Sequence, residues 1–307
     1  MSMSTAAVDR AGTGWLGDNA AAMVLSFDVD AESCVLAEGG QYASHLGALS
    51  HQQFGPRVGV PRILDLLDDY QLQATFFVPG RTADDWPDVI SEIAARGHEV
   101  AAHSHSHHLL TTMNESQERE DIERSLESLS RLDIKPLGHR CPMGSPTART
   151  AGLLVEYGFL YESTRMDDDR PYRIDIGGRE LVELPISWLV DDFPQYAFMP
   201  DPPLGQSIEP PQKALEVWLS ELTAMRRYGC LFTLVNHPFL IGRPSRLQAL
   251  RQLIEAAISF EDVWIATGLE TARRVSADKN TPLRPEPKAY RGANESPKID
   301  SLRRNVQ

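Results

Sequence analysis

Two aspartates close an apolar run in Ser26-Phe27-Asp28-Val29-Asp30. Side chains two apart on a strand share a face, so both carboxylates would project from one strand end, placed to take a proton or bind a cation. An Asp there also suits a plain strand-end turn, and the pair read alone serves either role. The second cluster is Ala102-His103-Ser104-His105-Ser106-His107-His108, where five of the nine histidines fall within positions 98 to 108. Imidazoles spaced i, i+4, as His103 and His107 are, can converge on one ion from a helical turn or a tight loop. Neutral imidazole is a good ligand for Zn, Fe, Co or Ni. The alternative is a solvated His-rich loop. The Asp pair one strand earlier favours ligands, with His105 and His108 supporting or exposed.

Three further segments carry chemistry. Arg140, in Gly138-His139-Arg140-Cys141-Pro142-Met143-Gly144-Ser145, could pair with a site carboxylate and hold its rotamer; an ordinary surface arginine is the competing reading. Cys141 and Pro142 beside it are candidate pocket residues. The run Glu183-Leu184-Pro185-Ile186-Ser187-Trp188-Leu189-Val190-Asp191-Asp192 offers Trp188 as a pocket wall and Asp191 or Asp192 to orient a histidine. A core Trp followed by a turn accounts for the same residues. Leu234-Val235-Asn236-His237-Pro238 places His237 at the end of a late apolar strand, where a general acid could sit, although a lone histidine there is normally structural.

These residues need elements to hold them. Met23 to Val29, Ala74 to Val78, Glu99 to Ala102, a short piece near Leu137, Phe159 to Tyr161, Leu181 to Leu184, Leu231 to Val235 and Val263 to Ala266 read as strands. Helical spacing appears at Ile63, Leu66, Leu67 and Tyr70 behind Pro61, at Trp86 to Ala94 with Gly97 as a stop, at Ile122 to Leu129, at Leu153 to Tyr157, at Ala214 to Arg227 and at Leu247 to Ala257. Alternating strands and helices predict an α/β fold with a parallel sheet. Seven or eight units over about 250 residues fit a barrel better than an open sheet. Residues 1–22, rich in Ala, Gly and Ser, read as a loose leader. Residues 23–275 form the barrel domain, and 276–307, with Pro282, Pro285, Pro287 and Pro297 among charges, a mobile tail or an arm on a partner subunit.

The 307 residues suffice for a large core. A net charge of −13 argues against nucleic acid or anionic lipid as partner. No apolar run reaches membrane-span length, and the N-terminus lacks a signal-peptide pattern, so a cytoplasmic protein is expected. Cys34, Cys141 and Cys230 are too few and too far apart for a disulfide framework or a cysteine metal cage.

In this order the five segments resemble the polysaccharide deacetylase family, the group with the NodB homology domain, from about Met23 to Ala272. The first motif reads Ser-Phe-Asp-Val-Asp where the family usually has T-F-D-D. That variant, with Val58-Gly59-Val60-Pro61-Arg62-Ile63-Leu64 and the run from Leu184-Pro185 to Asp191-Asp192-Phe193-Pro194, is similar to an intracellular subgroup of peptidoglycan-deacetylase-like and allantoinase-like enzymes.

The resemblance implies a distorted (β/α)7 TIM-like barrel and a divalent metal on Asp30, His103 and His107. Zn2+ leads the candidates, with Co2+, Ni2+ or Fe2+ as alternatives. It makes Asp28 the base, Arg140 its partner and His237 the acid, supported by Asp191 or Asp192. The reaction implied is hydrolysis of a non-peptide amide C–N bond in a carbohydrate substrate. A small cytosolic amide, imide or ureide is the alternative substrate, and a non-catalytic metal-binding protein is a third reading. Residues 31–59, longer than in secreted members, are expected to cover the site or an interface, and a homo-oligomer, a tetramer among the options, is expected.

Overall fold

The computed structural model describes residues 13–286. Its strands are β1 (Ala21–Asp28), β2 (Thr75–Val78), β3 (Glu99–Ala102), β4 (Gly138–His139), β5 (Tyr161–Glu162), β6 (Tyr172–Ile176), β7 (Arg179–Glu183), β8 (Phe198–Pro200), β9 (Pro203–Gln206), β10 (Leu231–Asn236), β11 (Val263–Ala266) and β12 (Leu283–Pro285). The helices are α1 (Ser33–Leu36), α2 (Leu46–Phe54), α3 (Val60–Asp69), α4 (Gly80–Asp85), α5 (Pro87–Ala95), α6 (Glu115–Ser130), α7 (Thr150–Glu156), α8 (Phe193–Tyr196), α9 (Pro211–Tyr228), α10 (Pro238–Ile241), α11 (Pro244–Ser259) and α12 (Gly268–Ala277).

Parallel pairing runs β10-β1-β2-β3-β4-β5-β7. The ring closes through one bridge, Asp191 to Val235, because the chain leaves β7 and returns beside β10 only at that residue. The result is a distorted seven-stranded barrel. β11 pairs with the first half of β1, β6 runs antiparallel on β7, and β12 lies parallel to β6.

All eight residues of β1 are buried, as expected of a strand covered on both faces. Its odd positions, Met23, Leu25 and Phe27, pack in one cluster with Ile63 and Leu67 of α3, Leu253 of α11 and Trp218 of α9. Its even positions Ala22 and Val24 pack in a second with Phe77, Ala101, Tyr161 and Val182. This second cluster is the barrel interior. Because alternate residues share a face, Ser26 and Asp28 continue that interior upward. The barrel therefore turns from apolar to polar along its axis, and the site lies at the strand C-terminal end.

Helix ends follow the sequence: Asn114 and Gln117 form a capping box on α6, Thr267 and Glu270 another on α12, and Gly229, at φ 71°, ends α9.

Two boundaries differ from expectation. Trp15 and Leu16, assigned to the leader, are buried in the interior cluster with Ala272 and Val275 of α12. Large apolar side chains override the loose composition around them. Leu283–Pro285 of the tail pairs with β6 rather than hanging free. Residues 287–307 of that tail, and 1–12 of the leader, lie outside the described residues. No helix among the described residues is long and apolar enough to cross a membrane. All three cysteines are free and buried.

Candidate active site

β1 delivers Asp28 at its last residue and Asp30 just beyond, both buried. β3 ends at Ala102, and the following loop brings His103 and His107 back to Asp30. The loop does so by placing two non-glycine residues, Ser104 at φ 57° and His107 at φ 58°, in the left-handed region, which costs conformational energy. Asp121 on α6 offsets that cost by accepting the main-chain N–H groups of His105 (2.7 Å) and Ser106 (3.0 Å) and the Ser106 hydroxyl (2.6 Å). Ser104 Oγ accepts the His107 N–H at 3.0 Å. The His pair thus converges from a tight loop, not a helical turn.

His103 Nδ1 lies 2.8 Å from the Arg140 carbonyl, which can only accept. The proton is therefore on Nδ1, and Nε2 carries a bare lone pair. That Nε2 is 3.6 Å from Asp30 Oδ1, and His107 Nε2 is 3.5 Å from the same oxygen. Asp30 Oδ1 is buried and has no hydrogen-bond partner. Acceptors crowding one point without a donor is costly in a buried site and is relieved by a cation. Burial lowers the pKa of both His103 and His107, so both are neutral ligands in waiting. Burial, with the neighbouring carboxylates Asp28, Asp191 and Asp192, pushes Asp30 up to about 8 despite the opposing charge of His237. One ligand atom from each of Asp30, His103 and His107 lies within 4.8 Å of the others. These residues fit a divalent metal.

Asp28 sits beside this cluster, with Oδ2 3.9 Å from His103 Nε2. Its Oδ1 accepts Arg140 Nη1–H at 2.6 Å. Arg140 is almost fully buried and held on every side. Nη1 also reaches Ser26 Oγ at 3.0 Å, Nε reaches the Ser163 carbonyl at 2.9 Å, Nη2 reaches Ser163 Oγ at 3.0 Å, and its guanidinium carbon lies 3.9 Å from the centre of the Phe77 ring. Burial alone would raise Asp28, but the Arg140 charge, followed by that of His237, holds it below the ordinary carboxylate value. It stays ionised near neutral pH, as a proton acceptor must.

His237 follows β10 and faces Asp30 from the other side, Nε2 to Oδ2 at 3.7 Å. Its Nδ1 donates to Asp192 Oδ1 at 2.7 Å, and both Asp192 oxygens accept its main-chain N–H at 3.1 Å. Asp191 Oδ1 is 3.9 Å from Nδ1 and takes the Phe193 N–H at 2.7 Å. Of the two aspartates, Asp192 orients His237. Burial opposes a charged His237, yet the hydrogen bond and charge of Asp192, with Asp30 and Asp191, raise it to about 10. Burial also raises Asp191, to about 7.

A pocket of about 250 Å³ contains Asp28, Asp30, His103, His107, Arg140, Asp191 and His237. Trp188, half exposed, and Cys141 line it as expected. Pro142 does not: it is buried and starts a turn that swings Met143 (φ 55°) and Gly144 toward the pocket instead. His105 is buried against Asp84, and His108 is exposed at the rim. His139, which also ends a strand, is buried outside the pocket and pushed by burial down to about 3, so it stays neutral and is not an imidazolium acid.

Sequence reasoning missed Ser26, Ser163 and Phe77, which hold Arg140, and Asp121, which shapes the histidine loop. Ser26 had a signal, since it shares the strand face of Asp28. Within residues 31–59, expected to cover the site or an interface, Cys34, Ala37 and Glu38 line the pocket from α1 and the residues after it, without having been singled out, and Leu204 of β9 was missed. Cys34 and Val35 pack with Ala48 and Met199, so α1, α2 and the β8–β9 hairpin form one cap.

Comparison with known proteins agrees with this geometry. Residues 53–161 match the family model described as polysaccharide deacetylase. The peptidoglycan deacetylase of Helicobacter pylori is 28% identical over 245 residues, covering 71% of this chain and 84% of its own. A solved structure from Mycobacterium smegmatis, assigned to the polysaccharide deacetylases, is 43% identical, covers 94% of this chain and 99% of its own, and superposes with a TM-score of 0.87. Puue allantoinase is 25% identical, with coverages of 91% and 99% and a TM-score of 0.77. With a relative this similar over nearly its whole length and the metal, base and acid candidates gathered in one pocket, the chain belongs to the polysaccharide deacetylase family.

Proposed function

We propose that the chain removes an acetyl group from the nitrogen of an N-acetylated carbohydrate. Membership of the family makes it a hydrolase of non-peptide carbon–nitrogen bonds. The observation that carries the reading is the pairing of Asp28 with Arg140 on one side of the Asp30, His103 and His107 cluster and of His237 with Asp192 on the other.

A divalent cation on Asp30, His103 and His107, with Zn2+ best suited to that nitrogen and oxygen set, supplies Lewis acidity toward a water and an amide carbonyl. The chain's own residues do the rest. Asp28 accepts the proton of the attacking water, and Arg140 keeps it ionised and aimed. His237 donates from Nε2 to the leaving nitrogen, which would otherwise depart as a poor anion. Asp192 keeps Nδ1 protonated and the ring in place. Carboxylate and amine are the products.

The compact, capped pocket suits a single sugar residue or a chain end better than the middle of a long strand. The small-ureide alternative is not favoured, since relatives named for their substrates include peptidoglycan and chitin deacetylases. A purely metal-binding role leaves both paired side chains unexplained. We also propose that the protein is cytoplasmic and self-associating. The test is acetate release from N-acetylglucosamine and short chitin oligomers by metal-loaded protein. Full metal content without acetate release from any N-acetyl sugar would refute the proposal.

A further inference from the structure

Away from the Asp30, His103 and His107 cluster the pocket wall is apolar and acidic. Leu109, Met143, Ile186 and Trp188 supply apolar surface. The acidic groups there are Glu38 at the rim and Asp191 on the wall. Asp191 is 4% exposed, and its Oδ1 is taken by the Phe193 N–H, so its second oxygen is left to the pocket. Arg140 is the one Lys or Arg among the described lining residues. Its guanidinium is committed through four hydrogen bonds to Ser26, Asp28 and Ser163. His237 is the other cation here, and its Nδ1 is paired with Asp192, so a carboxylate on the substrate, away from the reacting amide and His237, meets no free guanidinium or ammonium and faces two acids across apolar surface, where an unpaired charge is costly. The net charge of −13 opposes its approach from a distance. An ammonium or hydroxyl group meets acceptors instead.

We propose that this pocket selects its amide by charge, accepting neutral and cationic N-acetyl compounds and rejecting those that carry a carboxylate, with Asp191 and Glu38 setting the preference. The inference rests on the deacetylase reading above, and its test separates the two.

The metal-loaded full chain is assayed for acetate release from N-acetylmuramic acid and from its methyl ester, a pair matched in bulk. It is also assayed on a chitin dimer with one free amine. The ester and the amine-bearing dimer are expected to exceed the free acid by at least tenfold in kcat/KM. Asp191→Asn combined with Glu38→Gln should shrink the ratio of amine-bearing to acid substrate about tenfold. Thr112→Lys, which adds a cation to the rim, should raise the rate on the free acid selectively. Equal handling of acid and ester, or an unmoved ratio in the double variant, overturns the proposal while leaving the deacetylase reading intact. Thermal shift with glucosamine and N-acetylmuramic acid reads the same preference without turnover. A rise in Tm with the amine and none with the acid, in protein that releases no acetate, supports charge selection and removes the deacetylase reading.

Discussion

Asp192→Asn tests the acid half of the site. The substitution keeps the size of the side chain and an oxygen for the His237 main-chain N–H, and removes the charge 2.7 Å from Nδ1. Without a metal, His237 stands at about 10 against an ordinary 6.5. That rise amounts to about 5 kcal/mol in favour of the protonated ring, and Asp192 is the largest favourable contributor to it. A dication on Asp30 would cancel part of what remains, so the loaded wild type should titrate lower than 10 but still be held up by Asp192. Removing Asp192's charge should therefore lower the His237 pKa, because it takes away the largest of the groups that hold it up. A general acid must be protonated to act. Activity should therefore begin to fall at a lower pH in the variant, and the rate on its plateau should drop about 10²–10⁴-fold, the usual worth of a positioned acid. Asp191→Asn, which changes a group 3.9 Å away, should cost less and shift the limb less. The assay is the pH profile of kcat/KM for acetate release, on proteins shown to carry equal metal. Ionisation of a catalytic water could also produce an alkaline limb, but that limb would not follow Asp192. If the fully metallated variant keeps the wild-type rate and its limb moves by less than about half a pH unit, His237 is not the acid and the Asp192 pair is structural.

Arg140→Met should destabilise the fold by about 3–5 kcal/mol in urea titration, because Asp28 is left buried without its partner; a loss under 1 kcal/mol would show that Asp28 finds other compensation. His103→Ala should lose stoichiometric metal by elemental analysis, and unchanged metal content would refute the ligand assignment. Above about pH 7.5 the metal-free protein should become less stable as pH rises. Asp30, raised to about 8, loses its proton more readily unfolded than folded, so its contribution disappears as pH climbs from 3.8 to about 8. The His237 contribution, full below 6.5, disappears as pH rises to about 10. Tm followed without metal from about pH 7.5 to 9, above the range where the lowered histidines His103, His107 and His139 gain stability with pH, should fall, and metal should flatten the slope; a Tm that rises over that window refutes this. Sedimentation at micromolar concentration should show a homo-oligomer, and a monomer would remove that expectation.

The parts of the fold that could be read from the sequence are those where periodicity and burial coincide. β1 and β10 are largely apolar runs because barrel strands are covered on both faces; β1 ends on Asp28, and the residue directly after β10 is His237. The hairpin of β6 and β7 carried a signal that was passed over: Gly177-Gly178, at φ 60° and 86°, joins two alternating runs. The cap carried almost none. α1 spans four residues, and Gly55–Gly59 forms a π-turn, both too short to show a period.

The site was legible as residue types and not as geometry. Spacing nominated the aspartate pair and His103 with His107, and the resemblance singled out Asp30, but neither could show that two left-handed residues in the His loop make them converge, nor that Asp121 on a later helix holds that loop. Both left Asp191 and Asp192 equivalent, whereas Asp191 alone makes the bridge to Val235 that closes the barrel. That pairing places the next residue, Asp192, with its N–H on the Val235 carbonyl at 3.0 Å and its carboxylate beneath His237. Gly59 completes the same arrangement from the far end of the sequence. A Cβ on it would collide with the Pro238 carbonyl, so only glycine lets the start of α3 lie against the turn that follows His237. His237 is thus positioned by segments that run from Gly59 through Asp191 and Asp192 to Pro238, and packing between parts of the chain so far apart leaves no local pattern to read.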